Sequence, residues 1–234
     1  SFTGSFHGRT YGSLSLTASK PVQRRWFGPF LPEVITVPYP YCFRCPFRLR
    51  PRECDLWCLR YIEETVFARQ VDPAEVAAIV VEPILGEGGY VVPPPGFLPA
   101  LAQLASRHGI LLVADEVQSG SGRTGRMWAV EHWGVEPDII CAAKGLASGL
   151  PLGAIIAKDS VMTWERGSHG STFGGNPVSC AAALATLDLL EEGLLENCRR
   201  LGALLKARVC ELADRYPVIG DVRGLGLMVG LEFV

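Results

Sequence analysis

Ile110-Leu-Leu-Val-Ala-Asp-Glu-Val-Gln-Ser-Gly-Ser-Gly-Arg-Thr-Gly125 decides the fold. Its first five residues are apolar with no polar alternate, the pattern of a strand buried on both faces, and an acid follows at once. Just upstream, Pro95–His108 carries Phe97, Leu98, Leu101 and Leu104 at helical spacing and stops at Gly109. Working outward, the apolar runs Val34–Val37, Ala77–Val81, Ile139–Ala142 and Ala154–Ala157 are predicted strands, and Cys58–Arg69 is a predicted amphipathic helix. Strands apolar along their length and separated by helices predict an α/β fold: a mostly parallel sheet with helices on both faces.

The character changes at Asn176. Two long helical patterns follow, Ser179–Leu190 and Leu194–Tyr216, parted by Gly193. After Pro217 comes a strand-like segment, Val218 to Val234, interrupted by Gly220, Gly224, Gly226 and Gly230. Residues 1–175 are thus expected to form part of a large domain, and 176–234 a linking helix and the start of a smaller α+β C-terminal domain. Both ends read as cuts within a longer protein: the chain opens directly into a Gly-rich turn and stops inside an apolar run.

Composition narrows the function classes. Hydrophobic residues make up 48% of the 234 positions and charged residues 20%, which supplies a core and excludes bulk disorder. Twenty-two basic against 24 acidic residues leave a net charge of −2, with no electrostatic footprint for nucleic acid or an anionic membrane. No apolar stretch approaches the roughly 20 residues that span a bilayer, and no signal peptide is visible, so a cytoplasmic location is expected. Four of the eight cysteines cluster as Cys42-x2-Cys45-x8-Cys54-x3-Cys58. The CxxC half suits a thiolate metal site, yet the other half is CxxxC and no histidine is near; no metal is assigned, and reduced structural thiols are the other reading.

Ligands of open α/β sheets bind beyond the carboxyl ends of the strands, which selects Glu82, Asp115 to Gln118 and Lys144. Lys144 lies among apolar neighbours in sequence, and a lysine enclosed by such residues would favour its nucleophilic free amine. Gly120-Ser-Gly-Arg-Thr-Gly125 fits G-x-G-x-x-G, but the glycines stand several residues past the strand and open no persuasive helix, so a loop is expected rather than a nicotinamide site.

Taken together, Asp115 to Gly125 and Ala143-Lys-Gly-Leu-Ala-Ser-Gly-Leu-Pro-Leu-Gly153 resemble the class III pyridoxal-phosphate aminotransferases, among them the 4-aminobutyrate, ornithine and acetylornithine enzymes. Gly4-Ser-Phe-His-Gly-Arg-Thr10, Val81-Glu-Pro-Ile-Leu-Gly-Glu-Gly-Gly89, Pro94-Pro-Gly-Phe97 and Ser171-Thr-Phe-Gly-Gly-Asn-Pro177 extend the likeness, in order, over nearly the whole chain.

The resemblance implies a fold-type-I large domain and pyridoxal 5′-phosphate as cofactor. It implies Lys144 as the Schiff-base lysine and proton carrier, and Asp115 as partner of the pyridine nitrogen. It implies Gln118 at the phenolic oxygen, with Val117 and Phe6 on the two ring faces. Thr172 would reach the phosphate of a neighbouring subunit's cofactor, making a homodimer with shared sites. Arg9 would clamp a substrate carboxylate, Glu87 would act as a gate, and Ser171 would lie near substrate; Glu82 and His7 would be structural or would support the residues that touch the cofactor. The implied partners are an amino donor and a 2-oxo acid acceptor. A racemase of the same family, and a truncated non-catalytic assembly partner, are the alternatives. Two departures stand out: Ser121 replaces an aromatic residue, and the upstream phosphate-binding loop is absent.

Overall fold

The structure, a computed structural model, describes residues 1–234. Its central sheet has four strands in spatial order: β1 (Ala78–Val81), β2 (Leu111–Asp115), β3 (Ile139–Ala142) and β4 (Ala154–Ala157). β1 pairs with β2 in parallel, Ala78 opposite Leu111, and β2 with β3 likewise, Asp115 opposite Cys141. β4 runs antiparallel to β3, Ala142 opposite Ala154. The eleven-residue connection through Ala143–Gly153 holds one short helical turn, Lys144–Ala147, and no crossover helix of the kind a parallel return uses.

Six helices flank or follow the sheet: α1 (Tyr11–Leu16), α2 (Pro21–Arg24), α3 (Trp57–Tyr61), α4 (Phe97–Arg107), α5 (Pro177–Leu189) and α6 (Leu195–Arg215). α3 continues as a π-helical turn over Ile62–Phe67, so the expected helix at Cys58–Arg69 is present with a widened second half. α4 buries Phe97, Leu98, Leu101 and Leu104, the residues whose spacing predicted it, against Ile79, Val81 and Leu112 of the sheet. Phe2, Tyr39 and Phe97 meet in the same core, with Phe2 edge-on to the other two rings at 5.8 and 5.9 Å.

The expected strand at Val34–Val37 does not form. Only Val37 pairs, in an isolated parallel bridge with Phe2, and Pro38 and Pro40 supply no N–H to extend a ladder.

The C-terminal run divides into two strands, β5 (Ile219–Leu225) and β6 (Met228–Phe233), paired as an antiparallel hairpin. Asn176 caps α5, accepting from the Ser179 amide at 2.9 Å, with Pro177 in the first turn. Between α5 and α6 Gly193 takes φ +148°, a backbone conformation that L side chains rarely adopt. The Gly120–Gly125 segment is a loop that opens no helix. It carries the later elements: the Arg199 guanidinium donates to the Gly125 carbonyl at 2.9 Å and the Leu227 amide to the Arg123 carbonyl at 3.1 Å. No helix is long and apolar enough to cross a membrane.

Candidate active site at the carboxyl edge of the sheet

Parallel pairing of β2 with β3 ends both strands at one sheet edge, so Asp115 and Lys144 emerge side by side from neighbouring strands. Asp115 is buried, and each of its oxygens has a donor. Oδ1 accepts from the Val117 amide at 3.0 Å, and Oδ2 meets His7 Nδ1 at 2.7 Å. An ionised carboxylate only accepts, so Nδ1 carries the hydrogen of this contact. The His7 side chain is 3% exposed, and its Nε2 is buried without a partner.

Lys144 follows β3 and sits at φ +40°. Leu146 and Ala147 turn into the core while Lys144 stays exposed, so its apolar neighbours in sequence do not enclose it, contrary to expectation. Its Nζ donates to Gln118 Oε1 at 3.1 Å, and Gln118 Nε2 donates to the Tyr90 hydroxyl at 3.3 Å. Gly86 lies directly beneath that carboxamide; a Cβ there would overlap it, so only glycine allows Gln118 this position.

A second carboxylate stands behind the site. Glu82 is buried just past β1, with Oε1 accepting from the Phe6 amide at 2.6 Å and Oε2 from the Gly86 amide at 2.7 Å. Burial pushes its carboxyl up to about 7, helped by the charge of Asp115 and opposed by the two amides and by His7. Phe6 is half-buried, and the guanidinium of exposed Arg9 lies 5.5 Å from the centre of its ring.

Other expected site residues make no hydrogen bond or ion pair with this cluster. Glu87 is exposed and pairs with Lys20 at 3.6 Å. Ser171 and Thr172 sit in an exposed bend, where the Ser171 hydroxyl accepts from the Gly174 amide at 3.1 Å. All eight cysteines are free thiols, and nowhere do three or more His, Cys, Asp or Glu residues come together as a metal site. Sequence reasoning passed over Tyr90; nothing in Gly88-Gly-Tyr90 signals a hydroxyl turned back toward a strand end. His7, expected in a structural or supporting part, stands beside Asp115.

The donor set fits pyridoxal phosphate chemically: a buried carboxylate for a ring cation, an amine for an aldehyde and an amide N–H for a phenolic oxygen. An open sheet with these groups at its carboxyl edge defines the class: an α/β protein whose ligand site lies beyond the strand ends. The chain belongs to the class III aminotransferase family, whose model, "Aminotransferase class-III", matches residues 1–234.

Among curated relatives it is 43% identical over 238 residues to the alanine/serine racemase of Pyrococcus horikoshii, covering 100% of this chain and 50% of that protein. It is 40% identical over 236 residues to the probable 4-aminobutyrate aminotransferase of Bacillus subtilis, covering 100% and 54%. Among solved structures it superposes with a TM-score of 0.90, at 38% identity, on an amine transaminase from an uncultivated Pseudomonas species in its PLP-bound (internal aldimine) form, covering 100% of this chain and 54% of that one. The fold is therefore that of the fold-type-I transaminases, and the family and this PLP-bound neighbour indicate pyridoxal 5′-phosphate as the cofactor. The chain spans about half the length of the curated relatives it matches.

Proposed function

We propose that the protein to which this chain belongs is a pyridoxal-phosphate-dependent transaminase. Its substrates would be an ω-amino or diamino acid of the 4-aminobutyrate, ornithine or acetylornithine type and 2-oxoglutarate, used in alternation. The observation that carries this reading is the Lys144 amine held on Gln118, one strand away from the buried His7–Asp115 pair. Pyridoxal phosphate, when bound, supplies an aldehyde that captures amines and a cationic ring that draws electrons from the carbon bearing the amine.

The chain's own residues divide the remaining work. Lys144 Nζ would hold the cofactor at rest; once free, it would take the proton from the amine-bearing carbon and deliver it to the carbon of the cofactor's former aldehyde. Asp115, fixed by His7 and the Val117 amide, is oriented to accept from a protonated ring nitrogen and to stabilise that charge. Gln118 has an N–H to offer a phenolic oxygen, and Val117 and Phe6 would hold the two faces of the ring. Arg9, exposed at the mouth, suits a bidentate grip on a substrate carboxylate. Glu87 would act as a gate by pairing with an arginine other than Arg9, Ser171 would lie near substrate, and Thr172 would reach the phosphate of a second subunit's cofactor in a homodimer. Residues 1–175 form the cofactor-holding unit, and 176–234 the link into a smaller one.

The racemase relative, at 43% identity, favours one other reading: the same lysine and carboxylate returning the proton to the opposite face of a carbon. Acceptor dependence separates the two, because transamination stalls without a 2-oxo acid and racemisation does not.

Borohydride reduction in the presence of pyridoxal phosphate, followed by peptide mass spectrometry, tests the common core of both readings. Label on Lys144, lost in Lys144→Ala, is the expected outcome for the full-length protein. Its absence there would overturn the proposal.

A further inference from the structure

We infer that Arg223, on β5, is a positioning residue for the Lys144 end of the site, acting through Gly89, Tyr90 and Gln118. The inference rests on the reading above of Lys144 as the reacting amine.

The Arg223 side chain is 12% exposed and its donors are committed. Nη1 meets Asp221 Oδ2 at 2.7 Å and Glu232 Oε2 at 2.6 Å, two carboxylates of its own hairpin. On the opposite side, Nη2 and Nε both donate to a single oxygen, the Gly89 carbonyl, at 2.7 and 3.1 Å. The Tyr41 hydroxyl accepts from Nη2 at 3.2 Å, and the guanidinium lies 5.1 Å from the centre of the Tyr41 ring. A planar fork can hold two carboxylates at one edge and a carbonyl at the other; an ammonium cannot.

What the fork grips is the residue before Tyr90. Tyr90 has φ +52°, a left-handed conformation that a non-glycine residue keeps only when its surroundings impose it. Part of those surroundings is its own turn, where the Tyr90 amide donates to the Gly86 carbonyl at 3.3 Å; the rest belongs to the hairpin. Besides Arg223, Gly230 on β6 sits so close that an added Cβ would lie 3.1 Å from Tyr90 Cβ and 3.2 Å from the Gly89 carbonyl. From Tyr90 the path is short: its hydroxyl accepts from Gln118 Nε2 at 3.3 Å, and Gln118 Oε1 accepts from Lys144 Nζ at 3.1 Å. Releasing Gly89 lets the Tyr90 backbone relax, withdraws the hydroxyl and leaves the carboxamide free to turn. The C-terminal hairpin thereby sets the direction of the Lys144 amine without touching it.

The test reads Gln118 itself. In cofactor-free protein with ¹⁵N-labelled glutamine side chains, Arg223→Lys and Tyr90→Phe are each expected to shift the Gln118 amide resonances and speed their hydrogen exchange. The double variant is expected to go no further than Tyr90→Phe alone. A folded Arg223→Lys protein with lowered Tm and unmoved Gln118 resonances would overturn the inference, leaving Arg223 as a hairpin fastener. Should Arg223→Lys not fold, Asp221→Asn loosens the same fork from behind and is read in the same way. The borohydride label on Lys144 is scored separately, so failure of the functional reading is distinguishable from failure of this contact path.

Discussion

Two backbone amides from different loops converge on the one carboxylate of Glu82, and that residue is also where pH should act on stability. Its carboxyl is raised from 4.5 to about 7 in the folded protein, chiefly by burial. The native state therefore holds a proton that the unfolded chain has lost between those values, and the stabilisation present at low pH fades as pH rises through about 7. The shift corresponds to at most on the order of 3 kcal/mol. Urea unfolding of wild type and Glu82→Gln across pH 4.5 to 7.5 should show wild type losing stability relative to the variant as pH rises. Parallel curves would refute it. Asp115, Gln118 and Lys144 were legible in sequence because each follows an apolar run, and strand ends are where such sheets place chemistry. Tyr90 was not, because its contact depends on loop geometry that no periodicity encodes, and the partner of His7 was not because it lies 108 positions away.

Elements were legible where one face decides them. α4 is buried through the four apolar residues that predicted it, whereas Val34–Val37 has the composition of a strand but is followed by two prolines that cannot donate to a ladder. The direction of β4 was not encoded in its own residues either; the connection before it holds no crossover helix. The seam between α6 and the β5–β6 hairpin depends on a missing side chain. A Cβ at Gly202 would run into the Gly226 backbone, and Gly226 is itself against Thr124 in the glycine loop. Backbone offers no flexible end to yield, so Gly202→Ala, although it favours helix, should destabilise the protein by about 1–3 kcal/mol. Denaturant melts would show a lower midpoint; an unchanged or higher one would mean the seam repacks without strain.

At the scale of the whole molecule, the proposed homodimer makes its own demand. Phe173 is 87% exposed beside Thr172, in the segment assigned to the second subunit's site. Sedimentation velocity of the full-length protein should give a dimer, and Phe173→Ser should move it toward monomer; an unaltered dimer would place the interface elsewhere. The path from hairpin to lysine also bears on how the molecule comes into being. The sheet can begin to assemble once β1 and β2 exist, but Arg223 closes on Gly89 across 134 residues. Contacts that close so long a loop carry a high entropic cost and slow folding. The Lys144 amine thus acquires its final orientation only after β5 has been made and docked, so a chain synthesised only as far as β4 carries the amine but not the aim.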